Sequence, residues 1–205
     1  MHILPVSFYL RTDVTAVARD LLGKLLVTDI GGRCAARIVE TEAYAGVCDR
    51  ASHAFGGRKT ERTRVMYEAG GVAYVYLCYG IHHLFNVVTH EKGVPHAVLI
   101  RAAEPLEGVR LMSDRMGGKA EVRRLCSGPG RLSRAMGITT SLSGVSLRDG
   151  CVFIAGDGFV VPSDKVLETP RIGVDYAGED AKLRYRYIIA GHPGLSGRRN
   201  DNAGG

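Results

Sequence analysis

The chain has 205 residues, of which 45% are hydrophobic and 23% charged, as is ordinary for one globular domain with a sizeable core. It has no apolar run of membrane-spanning length, and its first ten residues do not follow the secretory-signal pattern, so we expect the cytoplasm or a nucleus and no membrane partner. The net charge of +6 suits a phosphate-rich partner.

Cysteine and histidine spacing predicts neither a disulfide framework nor a metal site. The five cysteines are odd in number and widely spaced, and no two of them form a C-x-x-C pair. His82 and His83 are neighbours, so they point to opposite faces of a strand. We therefore expect no metal and no cofactor.

The first predicted elements are a helix and a hairpin. Asp13 can cap a helix that runs to Leu22, because apolar residues recur at helical spacing and Gly23 follows. Residues 24–30 and 33–44 are predicted strands, joined by a tight turn at 31–32.

The rest of the chain predicts more strands and two more helices. His53 lies in a loop at 46–57, and a helical turn follows at 60–66. The later elements are predicted strands at 72–79, 84–89, 97–102, 152–155 and 183–189, with helices at 107–116 and 127–137. The fold class is α+β: a single compact domain with a curved, mostly antiparallel sheet, flanking helices and a protruding β-hairpin. Residues 1–190 form this domain, and 191–205 are expected to be a flexible tail.

The helix at 127–137 admits two interpretations. Ser127 is a polar cap, Pro129 suits the first turn and Gly137 ends the helix. Its N-terminal amides, with Arg131 and Arg134 nearby, could receive a phosphate, or the segment is an ordinary capped helix.

An acidic motif closes the strand at 33–44. Side chains alternate along a strand, so Glu40, Glu42 and Tyr44 share one face, and His53 follows nine residues later. Carboxylates beside an aromatic ring and a histidine suit acid–base chemistry, although a solvated strand face has the same pattern.

Several motifs in order resemble one family. They are RIVETEAY, H-x-x-G-G-R-x-T-x-R, YVYLCYG followed by Asn86, LIRAAEPLEG, CSGPGRL and RIGVDYAG. Together they resemble the alkyladenine (3-methyladenine) DNA glycosylase family of base-excision repair, from about Ser7 to about Ile188. The resemblance implies an enzyme that flips a damaged purine out of duplex DNA and hydrolyses its N-glycosidic bond without a metal. The motifs place no lysine to attack the sugar, so we expect a monofunctional enzyme without a lyase step, and we expect a monomer because one copy is enough to slide on a duplex.

The resemblance also implies residue roles. By this resemblance, Glu42 corresponds to the family's general base, which activates water, and Arg101 would lie beside it. Tyr44, His53 and Tyr76 resemble the walls that stack on the flipped base, and Asn86 the pocket floor. Tyr79, at the hairpin tip, resembles the wedge that fills the vacated place in the duplex. For neutral lesions His53 is also a candidate general acid or hydrogen-bond donor to the damaged base.

Other interpretations stay open at this point. The tyrosines could be core aromatics, His53 could bond to backbone, Arg101 could pair with Glu104, and Glu40 is expected to be a structural partner for an arginine. Two other functions are a non-catalytic binder of damaged or distorted nucleic acid and a hydrolase of free nucleosides. The sequence ranks neither the lesions nor the oligomeric states.

Overall fold

The computed structural model describes residues 1–197, which form one antiparallel sheet with short helices around it. In this part of the chain the strands are β1 (His2–Ile3), β2 (Leu25–Asp29), β3 (Arg33–Tyr44), β4 (Ala73–Cys78), β5 (His82–Thr89), β6 (His96–Glu107), β7 (Val152–Gly156), β8 (Val166–Thr169) and β9 (Arg186–Ile189). The α-helices are α1 (Val6–Tyr9), α2 (Val14–Asp20), α3 (Val109–Arg115) and α4 (Pro129–Met136). The predicted fold class is confirmed.

Strand β3 is the centre of the sheet. The strand order is β1-β7-β2-β3-β6-β5-β4, and β8 and β9 lie off this path. One edge of β3 pairs first with β2 and then, at Glu40–Glu42, with β9, while the other edge pairs with β6. The acidic motif is therefore held between two neighbouring strands.

Helix α2 forms where its local signals predicted. The Asp13 carboxylate accepts hydrogen bonds from the backbone N–H groups of Thr15 (2.8 Å) and Ala16 (3.1 Å), which satisfies amides that the helix itself leaves free. The buried face of the helix packs in the main core. None of the helices in the described residues is both long and apolar enough to cross a membrane.

The predicted hairpin is formed by β4 and β5. The backbone N–H of Ile81 donates to the carbonyl of Cys78 (3.1 Å) across a turn whose central residues have φ of 50° at Tyr79 and 73° at Gly80. Positive φ at both central positions is the pattern of a type I′ turn, which matches the twist of a hairpin. The Tyr79 side chain stands 92% exposed at the tip.

Two local expectations need correction. Strand β8 was not predicted, and it pairs with β9. Ser127 was expected to cap α4, but Gly128 holds the cap position without a side-chain bond, because the Ser127 hydroxyl donates to the carbonyl of Leu195 (2.7 Å). The phosphate interpretation of this helix stays a prediction.

The expected tail begins at residue 191, and its last part, 198–205, lies outside the described residues. In the part that is described, Leu195 and Ser196 are each only 5% exposed. Leu195 packs with Val39, Ala102 and Ile188 in a small apolar cluster. Residues 195–196 are therefore part of the packed structure.

Candidate active site

A cavity of about 650 Å³ opens beside β3, β4, β5 and β6. Six of the seven predicted site residues line it: Tyr44, His53, Tyr76, Tyr79, Asn86 and Arg101. The seventh, Glu42, is fully buried behind this lining. Its carboxylate bonds to three residues of the cavity wall, so the fold brings all seven together.

Three donors hold the Glu42 carboxylate. The Tyr44 hydroxyl donates to Oε2 (2.8 Å), and the backbone N–H of Ile172 donates to Oε1 (2.8 Å). Nη1 of Arg101 lies 3.2 Å from Oε1. The carboxylate thus accepts two hydrogen bonds and forms an ion pair with Arg101, which leaves a lone pair for a further donor. The carboxylate is therefore oriented, and it retains capacity for one more donor.

Arg101 lies between the two glutamates of the motif. Its Nε donates to Oε1 of Glu40 (2.8 Å), while Nη1 faces Glu42. The β3–β6 register shifts on both sides of Glu40, and such irregularities re-aim side chains. Burial would lower the pKa of Arg101, but Glu42 and Glu40 raise it above its ordinary value. The possible pairing with Glu104 is not found.

A buried ion pair supports this wall from behind. Arg171 donates through Nη2 to Oδ1 of Asp49 (2.8 Å), and both side chains are almost completely buried. The same guanidinium lies 4.8 Å from the centre of the Tyr44 ring. The pair therefore ties the loop that contains His53 to the segment whose Ile172 amide bonds Glu42.

His53 is a neutral member of the wall. Nε2 lies 3.2 Å from Nη2 of Arg62, which can only donate, so the ring proton is on Nδ1 and faces the Tyr74 hydroxyl (2.9 Å). Burial, and then Arg62 and Arg58, lower the pKa of His53 to about 4. The lowered pKa disfavours His53 as an acid at neutral pH, and its part in the release of neutral lesions stays a prediction.

The aromatic rings of this wall are not parallel. His53 and Tyr76 meet edge to face, with ring centres 4.6 Å apart and planes at 77°. Tyr76 instead stacks on Tyr74, at 5.6 Å and 30°. A flat base can therefore stack face to face on only one of His53 and Tyr76, and it meets the edge of the other.

Asn86 is 4% exposed and lines the cavity from β5. Its Nδ2 donates to the backbone carbonyls of Tyr74 (3.1 Å) and Leu84 (3.3 Å). Because both amide hydrogens are engaged by the backbone, the side chain offers a bound molecule its oxygen, which is a hydrogen-bond acceptor.

The mouth of the cavity is aromatic and basic. Tyr176 is 71% exposed there, and its hydroxyl donates to the carbonyl of Ala51 (3.0 Å). Phe55 and Tyr79 are also exposed lining residues. Arg50, Arg58 and Arg62 contribute positive charge around them. Within residues 1–197 no group of three or more histidine, cysteine or acidic side chains is arranged to hold a metal ion.

Sequence reasoning missed several of these residues. Tyr74 was detectable, because strand alternation places it on the same face as Tyr76. Arg62 is the last residue of H-x-x-G-G-R-x-T-x-R, and Ile172 lies in RIGVDYAG, but neither motif suggested their contacts. Asp49 lies in none of the quoted motifs, and although Arg171 begins RIGVDYAG, their pairing was not detectable because they are far apart in the chain.

Comparison with known proteins shows the family to which the chain belongs. Residues 7–193 match the family model described as methylpurine-DNA glycosylase (MPG). The chain belongs to the methylpurine-DNA glycosylase family. Relatives provisionally named 3-methyladenine DNA glycosylase cover nearly the same length: one from Methanocella arvoryzae is 47% identical over 97% of this chain and 98% of its own.

Two further relatives of the methylpurine-DNA glycosylase family carry the same provisional name. The Desulfitobacterium hafniense protein is 44% identical over 89% of this chain and 93% of its own. A Bacillus cereus protein is 42% identical over 94% of this chain and 98% of its own. The family suggested by the sequence motifs is therefore confirmed.

Proposed function

We propose that this protein is a DNA repair enzyme that removes alkylated or deaminated purines from duplex DNA. It turns the damaged nucleotide out of the helix and hydrolyses the N-glycosidic bond, which leaves an abasic site. The observation that carries this proposal is the Glu42 carboxylate, held by three donors at the wall of an aromatic cavity. The membership in the methylpurine-DNA glycosylase family supports it.

In the proposed reaction Glu42 accepts a proton from water while the water oxygen bonds to C1′ of the sugar. The bond between C1′ and the base nitrogen breaks, and its electron pair leaves with the base. Negative charge on Glu42 also stabilises the positive charge that develops on the sugar. Tyr44, Ile172 and Arg101 hold the carboxylate in a fixed orientation.

The geometry suits cationic alkylated purines best. A base alkylated at N3 or N7 is positively charged, and an electron-rich ring face that is open to the cavity attracts it by roughly 0.5–2 kcal/mol per contact. Such a base leaves as a neutral molecule, so it requires no acid. This agrees with His53, whose pKa of about 4 keeps it neutral at physiological pH.

We propose that Asn86, at the floor of the pocket, selects among purines. Asn86 presents an acceptor oxygen, because its amide hydrogens are bonded to the backbone. A buried acceptor favours a base edge that donates a hydrogen bond and disfavours an edge that leaves it unpaired.

Opening of the duplex is assigned to Tyr79. An extruded base leaves a gap whose cost is a few kcal/mol, and an inserted side chain can occupy it. Tyr79 is 92% exposed at the end of a hairpin beside the cavity. The basic residues at the cavity mouth are assigned to the phosphates on either side.

Water is the proposed nucleophile. A lyase reaction begins with an amine that attacks the sugar, and among the residues of 1–197 that line the cavity none is a lysine. We therefore propose a monofunctional enzyme whose product is an intact strand with one abasic site.

The deciding experiment uses duplex DNA treated with dimethyl sulfate and compares wild type with Glu42→Gln. Wild type should release methylated purines, and the variant should lose about 10²–10⁴-fold in rate with DNA binding retained. Glu107→Gln is the control, because that glutamate is exposed on β6. DNA binding by wild type without base release would instead support a non-catalytic binder, and release from free nucleosides alone a nucleosidase.

A further inference from the structure

The Glu40 carboxylate, one alternation before Glu42 on β3, receives four hydrogen bonds from residues within 1–197. Nε of Arg101 and Nε of Arg186 each donate to Oε1 (both 2.8 Å). Ser196 donates twice, through its hydroxyl to Oε1 and its backbone N–H to Oε2 (both 2.7 Å). Glu40 is fully buried. Glu40 therefore connects β3 with β6, β9 and the segment that contains Ser196.

Two arginines compensate the charge of Glu40. Burial would raise the pKa of this carboxyl, but Arg101 and Arg186 hold it below its usual range. Because Arg186 also bonds Oε1, Glu40 does not depend on Arg101 alone for a positive partner. The charge of Arg101 is thus shared between Glu40 and Glu42.

The Ser196 hydroxyl also contacts Arg101. Its oxygen accepts from Nη2 (3.1 Å) while its hydrogen goes to Glu40. A guanidinium is planar, so holding Nε and Nη2 fixes the direction of Nη1, the nitrogen that faces Glu42. The groups on the opposite side of the guanidinium, Glu40 and Ser196, therefore determine how Arg101 is oriented toward Glu42, the proposed catalytic base.

The segment that contains Ser196 is anchored separately. Leu195 packs against Val39, Ala102 and Ile188, and its carbonyl accepts from the Ser127 hydroxyl (2.7 Å). These contacts hold the backbone of the segment without touching Arg101. A mutation can therefore weaken the anchoring of this segment without removing the contacts that orient Arg101.

We propose that Ser196 is a positioning residue for base release: through its direct bond to Arg101 and its bond to Glu40 it sets the plane of the Arg101 guanidinium, and thereby the placement of Glu42. This inference rests on the proposed glycosylase function. It gives the segment after residue 191, which the sequence predicted to be flexible, a part in the reaction. Ser196 itself does not contact the substrate.

The test measures single-turnover release of methylated purines from dimethyl sulfate-treated duplex DNA. Ser196→Ala should lower the rate about 10-fold, since one hydrogen bond to a charged group is removed. The dissociation constant for the same DNA should stay within about twofold, because the phosphate-binding surface is untouched. Ser196→Thr keeps the hydroxyl and should restore most of the rate.

Ser127→Ala is the matched control, because it removes a buried serine bond to the same segment and leaves the Arg101 contacts. It should keep a rate close to wild type. Equal losses in Ser127→Ala and Ser196→Ala would show that only anchoring matters and would overturn the inference. So would an unchanged rate in Ser196→Ala, or no restoration by Ser196→Thr.

If Ser196→Ala does not fold, Ser196→Cys provides the comparison, since a thiol has a similar shape but is a weak donor and acceptor. Thermal melting checks folding for every variant. The proposed function fails if wild type releases no base. The positioning inference alone fails if wild type is active and removal of the hydroxyl changes nothing.

Discussion

Arg62 makes two contacts with the cavity wall: its Nη2 lies 3.2 Å from Nε2 of His53, and its guanidinium carbon lies 4.9 Å from the centre of the Tyr76 ring. One exposed side chain thus fixes the tautomer of the imidazole and covers the neighbouring aromatic ring. The neutral state of His53 therefore depends in part on an arginine at the mouth of the cavity.

Replacement of Arg62 by glutamine should raise the pKa of His53 from about 4 part of the way toward its ordinary value, because a positive charge is removed while burial remains. Titration of the His53 ring by NMR measures this directly. Arg64→Gln is the control, since Arg64 pairs with Glu61. An unchanged His53 titration in Arg62→Gln would contradict the assigned cause.

The same replacement should also change how the free energy of unfolding depends on pH. In wild type the unfolded chain binds a proton at His53 between pH about 4 and 6.5 that the folded protein does not bind, so the unfolding free energy rises with pH across this window. With a higher folded pKa the rise should be shallower in Arg62→Gln. Urea unfolding at several pH values measures it, and a steeper rise would contradict the sign.

Replacement of Tyr79 by alanine should lower base release from duplex DNA about 10- to 100-fold, because the gap left by the base would be unfilled. Release from single-stranded DNA should change far less. Thermal stability should be unchanged, since the ring is almost fully exposed. Val160→Ala, also at an exposed apolar position, is the control. Equal losses on both substrates would argue against a wedge.

Replacement of Asp49 by asparagine should cost about 3–5 kcal/mol of unfolding free energy, because the buried Arg171 loses its charged partner. The exposed pair between Arg11 and Asp20 provides the comparison. Asp20→Asn should cost less than about 1 kcal/mol. Urea denaturation measures the free energy of unfolding of both variants. Similar losses in the two would contradict the expectation that a buried ion pair is costlier to break than an exposed one.

DNA affinity should fall steeply with salt, because binding to phosphates releases counterions. Arg58→Gln, at the cavity mouth, should reduce the slope of log affinity against log salt by about 1. Arg33→Gln should leave it unchanged, since Arg33 lies beside Glu107 on the sheet and not among the cavity-lining residues. A flat salt response in wild type would exclude the phosphate-binding surface.

Elements with strong local signals were predictable from the sequence. The bounds of β3 and the Asp13 cap agree with the structure, because alternation and capping depend on residues close in the chain. Strand β8 was missed, since four residues give little pattern and its stability comes from pairing with β9. Ser127 was misassigned because a distant carbonyl, that of Leu195, competes for its hydroxyl.

The site was predictable as a set of residues but not as a network. Motif resemblance selected seven side chains, and the fold gathers them at one cavity. The partners that orient them come from distant parts of the chain: Ile172 bonds Glu42, and Ser196 bonds Glu40. Such pairings depend on tertiary structure, which composition and periodicity do not encode.

The position of Glu42 within β3 has a consequence for how the protein loses activity. Glu40–Glu42 are paired to β6 on one edge and β9 on the other, so their amides should exchange with deuterium only when the whole sheet opens. Heat inactivation should then coincide with global unfolding instead of preceding it.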